Sequence, residues 1–375
     1  MREKIYGIVD MSNACIKANK LVGITVDRVN EDAVLDAADI LVKGNYFIKL
    51  GIKNTSSIPK GYIQKLLESN KYVWHTIDKM ADGGRAIDID LINPVTGKIM
   101  TGSSSATAIN VLYGINDIGI GTDGGGSVLA VALSTNLFSI MAKGMGLKSD
   151  PHFLRKSTDG IEFLPGIGVM SHSMDMVCEG ILDMLGIGDF QEDGFDELFK
   201  KFKIAVPERG NIFLPSGEDM VDKLEDCIKL LKQIGINIKY EKFPDFKNRY
   251  ESIETVKKLF EDYDMLITYE GPVDFQGIGD SVLGSMGSFA KNVQNLGGKY
   301  MVKIANMLNS TAVTIPSSDA ASGIVIISRE GLENGMNLLK LSKKITSLYR
   351  LPNLYYEYFK NSNRRRKNEF IFSTR

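Results

Sequence analysis

Apolar and polar positions along the chain follow two periods, and the two alternate. Short apolar or alternating runs predict strands, and apolar residues recurring about every three or four positions predict helices. Residues 6–18 read as a first helix of mixed polarity, 23–26 as a brief strand, and 31–41 as a helix capped by Asn30 or Asp27. Residues 46–53 read as a strand that delivers Lys53 to its C-terminal end. Helix 61–67 and strand 71–75 follow. Residues 78–100 look irregular, with turns at Asp82-Gly83-Gly84 and Asn93-Pro94. Residues 106–113 predict a helix and 128–139 a buried helix or strand. Residues 152–168 are loop-rich, and 175–185 form an amphipathic helix.

A plain α/β pattern occupies residues 201–269, with strands at 202–206, 236–240 and 265–269 and helices at 217–235 and 250–260. Strands separated by helices of this length favour a parallel sheet. A glycine-rich connection spans 271–298, and connections of that length often border a binding site. Helix 300–308, strand 312–315, a fully buried strand at 323–327 and a closing helix at 332–348 complete the pattern. Nothing repeats at a fixed period. The expected fold class is α/β: a mixed, largely parallel sheet covered by helices on both faces. Residues 1–360 read as a single domain, with a catalytic core at about 44–150 and an α/β extension at about 201–298. Residues 361–375 read as a basic tail.

Composition narrows the classes. Hydrophobic residues make up 43% of the 375, enough for a large core. The formal net charge of -1 gives no electrostatic case for nucleic acid. The local cluster Arg364-Arg365-Arg366-Lys367 reads as a solvated tail. Cys15, Cys178 and Cys227 form no disulfide framework and no CxxC, which fits a reducing, cytoplasmic setting. Met1-Arg2-Glu3-Lys4 leads into no apolar region, and no window is long enough to span a bilayer, so no membrane partner is expected. Asp78, Asp82, Asp88 and Asp90 lie with Lys79 and Arg85 and no histidine. They read as a solvated loop, so neither a metal nor a cofactor is expected. A homodimer is left open.

The chemistry concentrates in two small-residue loops. The first is Gly102-Ser103-Ser104-Ser105-Ala106-Thr107, whose hydroxyls can accept the open N–H groups of a starting helix. The second is Gly119-Ile120-Gly121-Thr122-Asp123-Gly124-Gly125-Gly126-Ser127, read as too rich in glycine for regular structure. Its glycines open backbone N–H groups beside Ser127, an arrangement suited to a serine nucleophile and an oxyanion site. Serine needs a base at neutral pH. His152 and His172 leave a Ser-His-Asp set open; a buried Lys53, neutralised by desolvation and acting through an intervening serine, is the other candidate. The segment also matches GxGxxG, but no strand–helix unit with a following acidic residue supports a dinucleotide site, and no P-loop lysine follows.

These loops resemble the amidase signature family. That family has a Gly-Gly-Ser-Ser-Gly-Gly-Ser loop, then Gly-Ser/Thr-Asp-x-Gly-Gly-Ser, and a Lys-Asp after an upstream strand. Thr101 to Ala106 falls on the first, Gly121 to Ser127 on the second and Ile52-Lys53-Asn54 on the third. More weakly, Ser173-Met174-Asp175 and residues 301–327 look like later parts of the family. The resemblance implies Ser127 as nucleophile, Ser103 as a relay serine with a cis peptide bond, Lys53 as base, and an oxyanion hole from Gly124, Gly125, Gly126 and Ser127. The implied activity is hydrolysis of a small linear amide without cofactor or metal; the alternatives are a non-catalytic binding protein on that fold and an amidotransferase subunit. The chain departs from the family at four places. Leu129 stands where Arg is common, Asn54 where Asp is usual, Ser105-Ala106 replace a glycine pair, and Lys143-Gly144-Met145-Gly146 replace Gly-Leu-Lys-Pro. Without that Arg, Asp123 is expected to lack a charge partner. Phe275 and Phe289 on the glycine-rich connection are expected to wall the site and favour an uncharged, mainly apolar acyl group, because few cations lie near the serine loops in sequence.

Overall fold

The structure is a computed structural model and describes residues 2–188 and 199–360. The basic cluster 364–367 lies outside the described residues. The strands are β1 (Val26–Val29), β2 (Ile48–Lys53), β3 (Tyr72–Asp78), β4 (Ile87–Ile92), β5 (Ile99–Thr101), β6 (Ile118–Asp123), β7 (Phe138–Met141), β8 (Arg155–Lys156), β9 (Glu162–Phe163), β10 (Gly166–Ser171), β11 (Lys203–Pro207), β12 (Asn237–Glu241), β13 (Met265–Glu270), β14 (Thr311–Pro316) and β15 (Gly323–Ser328). Eleven of them pair in one sheet, in the order β1-β3-β2-β6-β10-β7-β14-β15-β13-β11-β12. β4–β5 and β8–β9 are small hairpins.

The sheet is mixed and carries helices on both faces. Parallel pairing occurs in two blocks, β3-β2-β6 and β13-β11-β12; antiparallel strands fill the centre between them. The second block is the module expected at 201–269, where helices Met220–Gln233 and Arg249–Asp262 connect the strands. Much of the antiparallel centre comes from β10, which the sequence reading placed partly within a loop. Gly166 and Gly168 hid it: a Cβ at the first would meet Met141 Sδ at 2.7 Å and at the second Ile140 O at 2.7 Å across the sheet.

Of the helices, α1 (Arg2–Lys20), α2 (Ala33–Val42) and α3 (Lys60–Glu68) precede the serine loops; α4 (Ser105–Leu112) starts in the first loop and ends before the second, and α5 (Leu129–Ser134) and α6 (Met174–Leu185) follow both. Alternation along β6 sets the layers. A Cβ on Gly119 would lie 2.5 Å from Thr107 on α4, whereas Ile118 points the other way and reaches Gly180 on α6. The stretch read as too glycine-rich for structure is therefore a buried central strand. Its glycines let α4 lie close on one face. Gly121→Ala would place a Cβ 2.6 Å from the buried Ser104 Oγ, and is expected to destabilise the fold by about 1–3 kcal/mol, read from the urea midpoint.

Three further expectations change. Residues 78–100 are not irregular, because β4 and β5 form a hairpin there. Residues 300–308 contain only a 3-10 turn, Met301–Lys303. The N–H groups of Tyr300, Met301 and Val302 turn to the Glu270 carboxylate, whose burial pushes it up to about 7. The segment after the closing helix Leu332–Thr346 holds another helix, Asn353–Phe359. Tyr355 anchors it by donating to Thr135 O at 2.6 Å, and its ring meets His172.

Candidate active site

β2 and β6 run parallel and side by side, so their C-terminal ends lie together, where open α/β sheets carry their ligands. β2 ends in Lys53 and β6 in Thr122 and Asp123. Ser103 follows β5 at the entry to α4, and Ser127 lies in the turn between β6 and α5. Gly102, at φ +68°, turns the chain between β5 and Ser103. A Cβ there would strike Val131 at 2.2 Å and Ser127 Cα at 3.1 Å, so glycine brings the two serine loops into contact.

Lys53 is 2% exposed. Its Nζ donates to Ser103 Oγ at 2.6 Å and to Thr122 Oγ1 at 2.9 Å. Burial pushes Lys53 down to about 7; the Asp123 carboxylate pulls it the other way, and the Arg155 guanidinium lowers it further. Ser127 Oγ accepts the backbone N–H of Ser103 at 3.2 Å. Lys53, Ser103 and Ser127 are thus gathered from three separate segments. The contact between the serines runs through the Ser103 amide, not its hydroxyl. The peptide bonds flanking Ser103 are trans, against the cis bond the resemblance implied; among the described residues the cis bond is Gly271–Pro272. The positive φ of Gly102 already makes the local turn, and the trans amide keeps its N–H aimed at Ser127.

Asp123 makes no ion pair among the described residues, and its partners are backbone donors instead. It is fully buried, and its carboxylate accepts from the N–H groups of Gly126 at 2.8 Å, Val128 at 2.7 Å and Leu129 at 3.1 Å. Desolvation raises it; those three donors and Lys53 oppose the rise. Its carbonyl is held by Asn306 Nδ2, and Asn306 is in turn held by the buried Lys143. Asp123→Ala leaves three donors without their acceptor and is expected to cost about 3 kcal/mol, measured by chemical denaturation. Asp123→Asn should recover part of that, since its carbonyl can still accept. The same geometry corrects the expected oxyanion hole. The Gly126 N–H is committed to Asp123, whereas Gly124, Gly125 and Ser127 donate to no group among the described residues.

A cavity of about 510 Å³ opens over Ser103, Thr122, Gly124, Gly125 and Ser127. Phe275 and Phe289 are not in its lining. Phe275 edges a different cavity with Ile99, its ring 5.6 Å from Lys98 Nζ. Phe289 is 82% exposed on helix Ser288–Asn295. Phe163, Val282 and Met307 are the large apolar side chains that do line the site, beside Arg85, Arg155, Lys156 and Arg249. The expected uncharged wall is therefore a mixed, cationic one. No sequence signal near the serines announced these residues, because they reach the cavity from five distant segments. Thr122 was visible within its motif, but its bond to Lys53 was not.

The competing readings are excluded by placement. His75 is buried and His172 half-buried against backbone carbonyls, and desolvation pushes both down to about 4; His152 sits in the turn Pro151–Phe153. None of the three lines the cavity. Lys49, the neighbouring lysine of β2, pairs with Asp10 and with Asp117 at 3.4 Å. GxGxxG begins inside β6, with no helix N-terminus for a phosphate at its first glycines. The four aspartates do not form one solvated loop. Asp78 is buried against Thr76 and Asn110, Asp88 accepts from Ser105, and Asp90 pairs with Lys79. Among the described residues no three His, Cys, Asp or Glu side chains gather as a metal site, and no helix is long and apolar enough to cross a membrane.

No protein-family model and no curated protein sequence matches the chain. Solved structures do. A bacterial aryl acylamidase of the amidase signature enzymes superposes at TM-score 0.61 and 12% identity, over 92% of this chain and 94% of that one. The native peptide amidase of Stenotrophomonas maltophilia matches at TM-score 0.61 and 12% identity, over 92% and 94%. A 6-aminohexanoate cyclic dimer hydrolase matches at TM-score 0.61 and 12% identity, over 94% and 96%. With its mixed eleven-stranded sheet, its helices on both faces and these matches along nearly the whole length, the chain has the amidase-signature fold.

Proposed function

We propose that this chain is a short, divergent amidase signature enzyme that hydrolyses a small linear carboxylic amide through an acyl-enzyme on Ser127. The observation that carries the reading is Lys53: a buried lysine, pushed to about 7, whose Nζ meets Ser103 Oγ beside Ser127 at the floor of a cavity. Neutral Lys53 accepts the Ser103 hydroxyl proton as Ser103 accepts that of Ser127. This step requires a χ1 rotation that brings the Ser127 Oγ within hydrogen-bond reach of Ser103 Oγ. Ser127 Oγ attacks the carbonyl carbon, and the N–H groups of Gly124, Gly125 and Ser127 stabilise the developing oxyanion. The proton returns through Ser103 to the leaving amine as the C–N bond breaks. Water then attacks the ester by the same relay, releasing the acid and restoring Ser127.

Peptide mapping after treatment with a serine-directed fluorophosphonate is expected to find the adduct on Ser127. An adduct found only elsewhere overturns the assignment. One observation favours a second reading, a binding protein on the same fold: Ser127 Oγ meets the Ser103 amide and not its hydroxyl. Hydroxamate formation from small amides and hydroxylamine, above the level of Ser127→Ala, separates the two in favour of the enzyme.

A further inference from the structure

The cavity over Ser127 is far more basic than the chain that forms it. Four cationic side chains, Arg85, Arg155, Lys156 and Arg249, line it against one carboxylate, Asp280, in a protein of formal net charge -1. They converge from the turn after Asp82–Gly84, from β8, and from the start of helix Arg249–Asp262. Two are already engaged. Arg85 donates to Asp280 Oδ2 at 2.7 Å and Arg249 to Asp159 Oδ1 at 2.9 Å. The side chains of Arg155 and Lys156 make neither a hydrogen bond nor an ion pair among the described residues.

A hairpin carries Arg155 to the cavity that Ser127 also lines. Arg155 pairs with Phe163 across β8–β9. The Phe163 ring rests on Gly124, in the loop before Ser127, where a Cβ would come within 2.2 Å of it. On the far side, a Cβ on Gly84 would lie 3.2 Å from Arg155 Nη1, so the guanidinium lies at the Gly84 wall of the cavity whose floor holds Ser127. It remains open to solvent and available to a ligand.

Resting on the hydrolase reading above, we infer that the substrate is a monoamide of a short dicarboxylic acid, its far carboxylate held by Arg155 with Lys156 and Arg249 beside it. One uncommitted guanidinium presents two parallel N–H donors, which match a carboxylate. Asp280 in the same lining disfavours a more highly charged anion. The cavity volume of about 510 Å³ suits a small acyl chain.

The test is calorimetric titration of the Ser127→Ala protein, which binds without turnover, with succinamate and glutaramate. Their neutral counterparts of equal length are 4-oxopentanamide and 5-oxohexanamide. At least one anion is expected to bind about tenfold tighter than its neutral partner at low salt, with the margin shrinking as salt rises. Adding Arg155→Ala should erase the margin; Arg155→Lys should keep part of it, as a charge without the fork. Equal affinities, no binding of any of the four, or a preference that survives Arg155→Ala overturns the inference. Fluorophosphonate labelling of the wild-type chain reports separately on the hydrolase reading. An anion preference without labelling counts against the hydrolase alone, and labelling without an anion preference counts against the carboxylate site alone.

Discussion

Ser127→Ala is expected to lower kcat for amide hydrolysis by at least about 10⁴-fold, because the acyl-enzyme cannot form without its oxygen. The fold should survive. Ser127 Oγ accepts a single hydrogen bond, from the Ser103 N–H at the cavity floor, so the stability cost is about 1 kcal/mol or less. Circular dichroism and the urea midpoint check that side, and steady-state kinetics on a small-amide panel checks the other. Ser103→Ala is expected to be severe as well, and the double variant little worse than Ser127→Ala alone, since the groups act as one unit. A Ser127→Ala protein that keeps a tenth or more of wild-type turnover would remove the serine from the reaction.

Lys53→Met is expected to lower kcat/KM by about 10²–10⁴-fold at pH 8, the usual worth of a general base. In the wild type kcat/KM should climb as pH rises through about 7, where Lys53 loses its proton, and this limb should vanish in the variant. Lys53→Arg should not rescue, because a guanidinium stays charged. Stability should move the opposite way. Lys53 titrates near 10.5 when unfolded and near 7 when folded, so between those values the unfolded chain binds the extra proton and wild-type stability rises with pH. Methionine removes that dependence. Lys53→Met should therefore exceed the wild type in stability by the most below pH 7, by a margin on the order of a few kcal/mol, and lose the advantage toward pH 10.5. Urea midpoints from pH 6 to 10 measure this. Full activity in Lys53→Met would sink the base assignment, whatever its stability.

The legibility of this site followed from what is local. Lys53 could be placed at a strand end because an apolar run carries it there and Asn54-Thr55-Ser56-Ser57 ends the run. Ser103 and Ser127 stood out because small-residue loops around a serine serve close backbone approach and little else. The reading failed where a neighbour decides. Gly119 and Gly121 looked like loop residues, yet they occupy a central strand because Thr107 and Ser104 press on it. Gly126 looked like an oxyanion donor, yet its N–H belongs to Asp123. Phe275 and Phe289 were near the site in prospect and away from its cavity in fact, because a connection's path cannot be read from its composition.

By itself the sequence determined the elements whose periodicity is self-contained. These are the module of β11, β12 and β13 with its two helices, the buried strands β14 and β15, and α6. Each rests on the order of apolar and small residues along a short window, which the chain carries wherever it goes. Only the tertiary structure decided that β10 pairs between β6 and β7, that Asp123, expected to lack a charge partner, is satisfied by backbone N–H groups, and that Arg85, Arg155, Lys156 and Arg249 line one cavity with Ser127. The physical reason is the same in each case. Strand pairing, the desolvation of a carboxylate and the convergence of like charges depend on distances between segments far apart in the chain, and those distances exist only once the sheet has formed.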